Sequence, residues 1–244
     1  MDLRIVGLSG LPEVRPGDSL AALIRAAAER ASEPLGPRTV VIVAQKIVSK
    51  AEGSIVDLRT IQPTPVAEKW AAQWQKDARM VELTLRQSRR IVRMDRGVLI
   101  AETHHGFVAA NAGVDQSNVP GEHFATILPA DSDASAHALR QELGCGAVIV
   151  SDTFGRPWRE GLVNVAIGVS GMDALQDLRG AVDRGGRLLT ATIIARADEL
   201  TAAAGLVMAK SAGVPVALIQ GLEWAPAEGS AAALIRAADR DLFR

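Results

Sequence analysis

Residues 146–171 read GAVIVSDTFGRPWREGLVNVAIGVSG. Two apolar runs, GAVIVS and VNVAIGVSG, flank a polar stretch that gathers Asp152, Thr153, Arg156, Trp158, Arg159 and Glu160 into one glycine-punctuated turn. Short runs rich in Val and Ile and bounded by such a turn read as two strands in direct succession. A regular doubly wound sheet would place a helix between them, so the adjacency favours an α+β fold. A buried strand needs only a stop, which Gly or Asp-Thr would supply. The extra charges ask for another explanation.

The flanking sequence keeps the same irregular order. RIVGL reads as a first strand, followed by the loop LPEVRPGDSL, whose Asp18 or Ser19 can cap a helix through AALIRAAAER. TVVIVAQKIVSKAEG reads as a buried β run that turns polar at Gln45 and ends near Gly53. PVAEKWAAQWQKDARMVELTLRQSRR carries helical spacing, with Trp70, Trp74 and Val81 on one side. VRMDRGVLIAET predicts two strands around Asp95-Arg96-Gly97, and SDASAHALRQELG a capped helix. RLLTATIIARA reads as a further strand, ADELTAAAGLVMAK as a helix opened by acidic residues, and VPVALIQG as a late strand. No repeat and no compositional linker interrupts the chain, so residues 1–244 are expected to form one unit, with two lobes that interleave in sequence.

Of the 244 residues, 48% are apolar and 23% charged, a balance that suits a globular chain with ample core. The net charge of −1 argues against broad electrostatic binding to nucleic acid or an anionic membrane. No apolar run approaches the roughly 20 residues that span a bilayer. MDLRIVGLSGLPEV lacks the basic start and long apolar stretch of a secretory signal, so the cytoplasm is the expected compartment. Cys145 is the only cysteine, which excludes an internal disulfide and a cysteine-rich metal site. Within ELGCGAVIV it reads as inert packing.

Four polar clusters interrupt the apolar elements. GLPEVRPGD precedes a helix N-terminus, where free backbone N–H groups favour an anion; its bland reading is a turn. Gln45 and Lys50 stand at the polar end of a strand, where a lysine can neutralise a phosphate or simply face solvent. In NAGVDQSN, Asn111, Asp115 and Asn118 sit among small residues and offer the oxygen ligands that a hard divalent cation takes, or an Asx-turn. Asp152 and Thr153 add a carboxylate and a hydroxyl, and Arg156 and Arg159 add forked donors that could clamp a substrate carboxylate or phosphate. Together they suggest a metal-bridged polyphosphate site. The usual nucleotide motifs are missing: AAGLVMAKS has Ala204 and Ala209 where a P-loop has glycines, and no G-x-G-x-x-G follows a strand. His104 and His105 are adjacent and cannot both face one metal from a regular strand.

GLPEVRPGD, VAQKIVSKAEG, ETHHGFVAANAGVDQSNVPG and SDTFGRPWREGLVNVAIGVSG, in this order, resemble the coenzyme F420:L-glutamate ligase family, a likeness that spans nearly all of the chain. The resemblance implies a homodimer of two-lobed α+β subunits, neither Rossmann nor P-loop. It implies that GTP drives the attachment of L-glutamate to the deazaflavin precursor of coenzyme F420 and then of a second, γ-linked glutamate. It implies Mg²⁺ or Mn²⁺, with K⁺ as a stimulating ion. Carried over by motif, nucleotide contacts fall on Leu11, Pro12, Glu13, Val14, Gln45, Lys50 and Asn118. They continue through Met208, Ala209, Lys210, Ser211, Ala212, Gly213, Val214 and Pro215. One metal falls on Asp115 and Asp152, and a second near Thr153.

The sequence departs from the family where many members have glycine and then Gln or Glu after the methionine. Here Ala209 and Lys210 follow Met208, and a protonated lysine has no acceptor oxygen for a second metal. Its ammonium is expected to stand near the phosphates in place of part of that cation's charge. Ala109 stands where many relatives carry cysteine. The nitroreductase-like domain fused to some bacterial relatives is not expected in this chain. Two other functions fit the same residues less fully: a metal-dependent nucleotide phosphohydrolase and a non-catalytic deazaflavin-binding module.

Overall fold

The segment TVVIVA has no polar alternate position, and a strand that is apolar on both faces must be covered on both. In the computed structural model, which describes residues 2–119, 121–209 and 213–242, this segment lies inside a five-stranded mixed sheet. The chain enters through β1 (Arg4–Leu8), a proline-bearing loop and α1 (Leu20–Arg30), and β2 (Thr39–Ala44) then passes directly into α2 (Gln45–Ala51). An inserted segment follows, with β3 (Ile55–Asp57), α3 (Pro65–Trp74) and α4 (Ala78–Arg86). It continues through β4 (Ser88–Asp95), β5 (Val98–Thr103), β6 (Val108–Ala110) and β7 (Phe124–Thr126). The chain returns to the main sheet with α5 (Ser132–Leu143), β8 (Ala147–Arg156) and β9 (Arg159–Ser170). The short β10 (Gln176–Asp177) and β11 (Ile193–Ile194) precede α6 (Arg196–Ala204) and β12 (Val216–Gln220). The fold is α+β, as the adjacent strand pair predicts.

The main sheet runs β1-β12-β2-β8-β9, and alternation along its strands sorts the side chains into two cores. Val41, Val43, Val148, Val150, Val216 and Leu218 pack with α1, α2 and α5. Val40, Ile42, Ala147, Ile149, Ala217 and Ile219 pack on the other face with α6. Burying one Val, Leu or Ile contributes roughly 1.5–3 kcal/mol, against about 0–1 kcal/mol for a surface ion pair. The covered sheet therefore dominates stability. The inserted segment has its own apolar clusters, one among α3, α4 and β5 and one among α4, β7 and the turn at Leu58.

Local chemistry sets several boundaries. Ser19 Oγ accepts from Ala22 N at 3.3 Å and so caps α1, while Asp18 turns back to accept from Arg15 N. Asp131 caps α5, which ends at Gly144 with φ 65°. Arg96 and Gly97, at φ 50° and 74°, turn β4 into β5 as predicted. The long helical pattern after Thr64 forms two helices, because Gln75 adopts φ 53° and Asp77 caps a fresh start at Arg79 N.

Other expectations need correction. The apolar run from Thr39 is a strand only to Ala44 and then a helix, since Ile47, Val48 and Ala51 carry helical spacing onto the same core. The polar stretch at 151–161 is not one open turn: β8 continues to Arg156, and only Pro157 and Trp158 lie between it and β9. RLLTATIIARA contributes just Ile193–Ile194 to a two-stranded ribbon, with Leu188 and Ile193 exposed and no core face to hold a longer strand. The helix expected over ADELTAAAGLVMAK is α6, which starts at Arg196 and stops at Ala204.

Gly168 lies where β9 crosses the start of α5. A Cβ there would stand 2.1 Å from Ser132 O, so backbone must shift. Gly168→Ala is expected to destabilise by on the order of 1–3 kcal/mol and to lower Tm by roughly 2–4 °C for each kcal/mol lost. Thermal unfolding followed by circular dichroism checks this; an unchanged midpoint would remove the packing constraint.

Candidate active site

Strand polarity gathers the polar clusters. β1 is antiparallel to β12 and β12 to β2, so β1 and β2 run the same way, and β8 is parallel to β2. The carboxyl ends of β1 and β2, the stretch of β8 just past Ser151 and the amino end of β12 therefore meet at one edge of the sheet. Open sheets bind ligands outside such carboxyl ends. The loop after Leu8, α2, the middle of β8 and the segment before Val216 all arrive there. The last β2–β8 pair is Ala44 with Ser151, so Asp152 and Thr153 lie on β8 beyond the reach of β2. Asp152 Oδ1 accepts from Thr153 N at 2.7 Å, and Thr153 Oγ1 donates to Asn164 Oδ1 on β9 at 3.0 Å.

A further wall comes from residues 111–118 of the inserted segment. Asn111, Ala112 and Gly113 all adopt positive φ, at 52°, 50° and 75°. This is a costly conformation for alanine and of the kind that accumulates at functional sites. Gly113 is obligatory, since a Cβ would lie 2.7 Å from Leu128 Cγ. Beyond this turn the Asp115 backbone is fastened to β7, its N–H donating to Thr126 O at 3.0 Å and its carbonyl accepting from Thr126 N at 2.8 Å. The Asp115 carboxylate accepts from Ser117 N at 2.6 Å and meets Lys46 Nζ at 2.7 Å. Lys46 also donates to Ser117 Oγ.

These segments enclose a cavity of about 870 Å³, within the roughly 300–1,000 Å³ range of small-molecule sites. Leu11, Pro12, Glu13, Val14, Gln45, Lys50, Asn118, Met208, Ala209, Gly213, Val214 and Pro215 line it, as do Asp115, Asp152 and Thr153. Lys210, Ser211 and Ala212 fall outside the described residues. Arg156 and Arg159 are not among the lining residues. Arg156 is four residues along β8 from Asp152, about 13 Å at strand rise, and its Nη2 donates to Glu160 O at 2.6 Å near the hairpin tip. Lys46 and Asn164 line the cavity too and were missed by the sequence reading. Lys46 is four residues from Lys50, a spacing that puts both on one face of a helix and equally of a strand, so it gave no signal that separated the two.

The cavity pairs its charges. Lys50 is only 4% exposed, and its ammonium meets Glu13 Oε1 at 2.5 Å. Gln45, fully buried, accepts from Ser49 Oγ at 2.8 Å, which holds it against α2. Burial pushes the Asp115 carboxyl up, but the Lys46 ammonium and the Ser117 donors outweigh it and hold the group below its ordinary value. Cys145 is buried, and burial pushes its thiol up to about 11, as inert packing requires. The two histidines diverge: His104 Nε2 meets Arg86 O, and His105 Nε2 meets Pro129 O at 2.9 Å, away from the cavity.

The fold and cavity define an α+β protein with a polar small-molecule site assembled from loops at the carboxyl edge of a mixed sheet. Residues 10–221 match the family model described as F420-0:Gamma-glutamyl ligase, and the chain belongs to that family. It is 43% identical to the coenzyme F420:L-glutamate ligase of Methanothermobacter thermautotrophicus over 100% of both chains. It is 45% identical to that of Methanopyrus kandleri, covering 95% of this chain and 94% of the relative. Against that of Methanocaldococcus jannaschii the identity is 38%, with 99% and 97% covered.

Because the Asp115 carboxyl is lowered in the folded protein, the unfolded chain binds its proton more readily and stability rises with pH. The contribution is fully present above the ordinary value of about 3.9 and is lost as pH falls through the lower folded value. Urea unfolding should therefore show wild type more stable than Asp115→Asn near neutrality, with the gap closing below about pH 4. A gap independent of pH would contradict it.

Proposed function

We propose that this chain uses GTP to ligate L-glutamate to the deazaflavin precursor of coenzyme F420 and then extends the product by a γ-linked glutamate. The observation that carries this reading is one cavity in which segments far apart in sequence bring two lysines and two aspartates together. Full-length relatives named coenzyme F420:L-glutamate ligase support the substrate assignment.

A carboxylate and an amine do not condense in water without activation. In the proposed sequence a precursor carboxylate oxygen attacks the γ-phosphorus, the bond to the β-phosphate oxygen breaks, and GDP leaves. The glutamate amine then attacks the acyl carbon, the carbon–oxygen bond to phosphate breaks, phosphate departs with that electron pair, and the nitrogen gives up one proton to solvent or phosphate. Lys50, with its ammonium inside the cavity, neutralises phosphate oxygens. The loops at 11–14 and 213–215 wall the nucleotide, and Asn118 borders it.

Asp115, Asp152 and Thr153 would hold Mg²⁺ or Mn²⁺. Their donors are hard oxygens, which suits these ions. Among the described residues no group of three or more His, Cys, Asp or Glu side chains comes together. A cation held by Asp115, Asp152 and Thr153 would therefore take its remaining oxygens from phosphate and water rather than from a protein cage. When bound, such an ion neutralises charge that develops during phosphoryl transfer. Asn164 Oδ1 accepts the hydrogen bond donated by the Thr153 hydroxyl, which leaves that oxygen's lone pairs available as ligands. K⁺ as a stimulating ion, a homodimer and a cytoplasmic location complete the proposal and rest on the motif resemblance alone. Arg156 and Arg159, outside the cavity lining, take no part in it.

Incubation with GTP, Mn²⁺, glutamate and the unglutamylated deazaflavin should yield a glutamylated product by mass spectrometry and GDP release that depends on glutamate. GDP release indifferent to glutamate would identify a phosphohydrolase instead. Asp152→Asn should keep its melting transition and lose ligation by roughly 100-fold or more; near-normal product formation would remove Asp152 from the metal site.

A further inference from the structure

We infer that Lys46 is a displaceable latch on Asp115 that couples cation binding to phosphate binding. The inference rests on the proposed metal-nucleotide site and adds a residue to it. Asp115 has both carboxylate oxygens engaged: Oδ1 accepts from Ser117 N at 2.6 Å, and Oδ2 lies 2.7 Å from Lys46 Nζ. An ammonium offers no lone pair, so it cannot share a coordination sphere. It is also a positive charge set against the carboxylate oxygen that a hard cation would take. Lys46 and a divalent ion therefore compete for Asp115.

The geometry decides which partner moves. The Asp115 backbone is held by two hydrogen bonds to Thr126, and its carboxylate by Ser117 N. Lys46 hangs on a flexible four-carbon stem, and the pair is partly exposed, at 20% and 38%. Such pairs are weakly held and readily exchanged. Lys46 stands one helical turn before Lys50 on α2, so an ammonium released from Asp115 stays on the face that carries the other cavity lysine.

Linkage follows. Cation binding at Asp115 frees Lys46, and phosphate oxygens in the cavity give the freed ammonium a new partner. Each ligand then raises the affinity for the other through Lys46, by the same factor in both directions. A merely structural tie between α2 and the inserted segment would produce no such coupling.

The test is titration of the full chain with Mn²⁺, free ion read by electron paramagnetic resonance, with and without a β,γ-methylene analogue of GTP. Lys46→Met removes the competitor, so Mn²⁺ alone should bind about 5- to 10-fold tighter than in wild type. The factor by which the analogue improves Mn²⁺ affinity should fall by about the same amount. Lys46→Arg, which keeps the charge, should stay near wild type in both readings, and the melting temperatures of both variants establish that they fold. The latch is overturned if Lys46→Met binds Mn²⁺ alone no more tightly than wild type, or if the analogue improves binding by an unchanged factor. Equal Mn²⁺ binding by wild type and Asp115→Asn, with and without analogue, is a different failure: it removes Asp115 from the metal site and takes the latch with it.

Discussion

Three strands of the main sheet point the same way, so β1 and β2 end, and β8 runs on past them, at one edge of the sheet. Leu8 is paired with Val216, Val216 with Val43, and Ala44 with Ser151. Those register pairs fix the arrival points of loops that are far apart along the chain. Because the side chains of β2, β8 and β12 are buried on both faces, a one-residue slip would move each apolar set into the wrong core. The cavity thus inherits its precision from the most stable part of the molecule. Its chemistry is carried by the ends of elements whose middles are locked.

Charge is distributed by the same scheme. Each cavity lysine comes from α2 and meets a carboxylate from elsewhere: Glu13 from the loop after β1, Asp115 from the inserted segment. The two contacts differ in burial. Lys50 is 4% exposed and meets an exposed Glu13, whereas Lys46 and Asp115 are both partly exposed. The strained turn at Asn111-Ala112-Gly113 brings the Asp115 segment to the wall, and Leu128 closes behind it.

Much of the fold was legible because the sequence carried local chemistry for it. Ser19 before an alanine-rich helix, Gly144 after one, and Arg96-Gly97 between two β runs each act within a few residues. What escaped had a nonlocal or ambiguous cause. The strand-to-helix change at Gln45 was hidden because α2 is only seven residues long and follows the apolar strand with no capping residue between them, so its helical spacing had too little length to stand out. Lys46 was overlooked with it, and Asn164 gave no signal, since its role depends on Thr153 across the β8–β9 pairing. Residues 115 and 152 were linked by motif resemblance, not by spacing, and both line the one cavity, Asp152 from β8 and Asp115 from the inserted segment. The arginines at 156 and 159 adjoin Asp152 in sequence, but they flank the β8–β9 turn and are not among the residues that line the cavity.

β1 and β12 pair edge to edge although they are separated by some two hundred residues, and β2 must find β8 across the whole inserted segment. Contacts of that separation form late, because the entropy of closing long loops must be met before they stabilise anything. During synthesis from the amino end, β1 cannot find its neighbour until β12 has left the ribosome, so helices and the inserted hairpins can settle while the central sheet is still open. The cavity is consequently among the last features to mature, and a nascent chain halted before residue 216 would hold most of the residues that line it without the strand that brings them together.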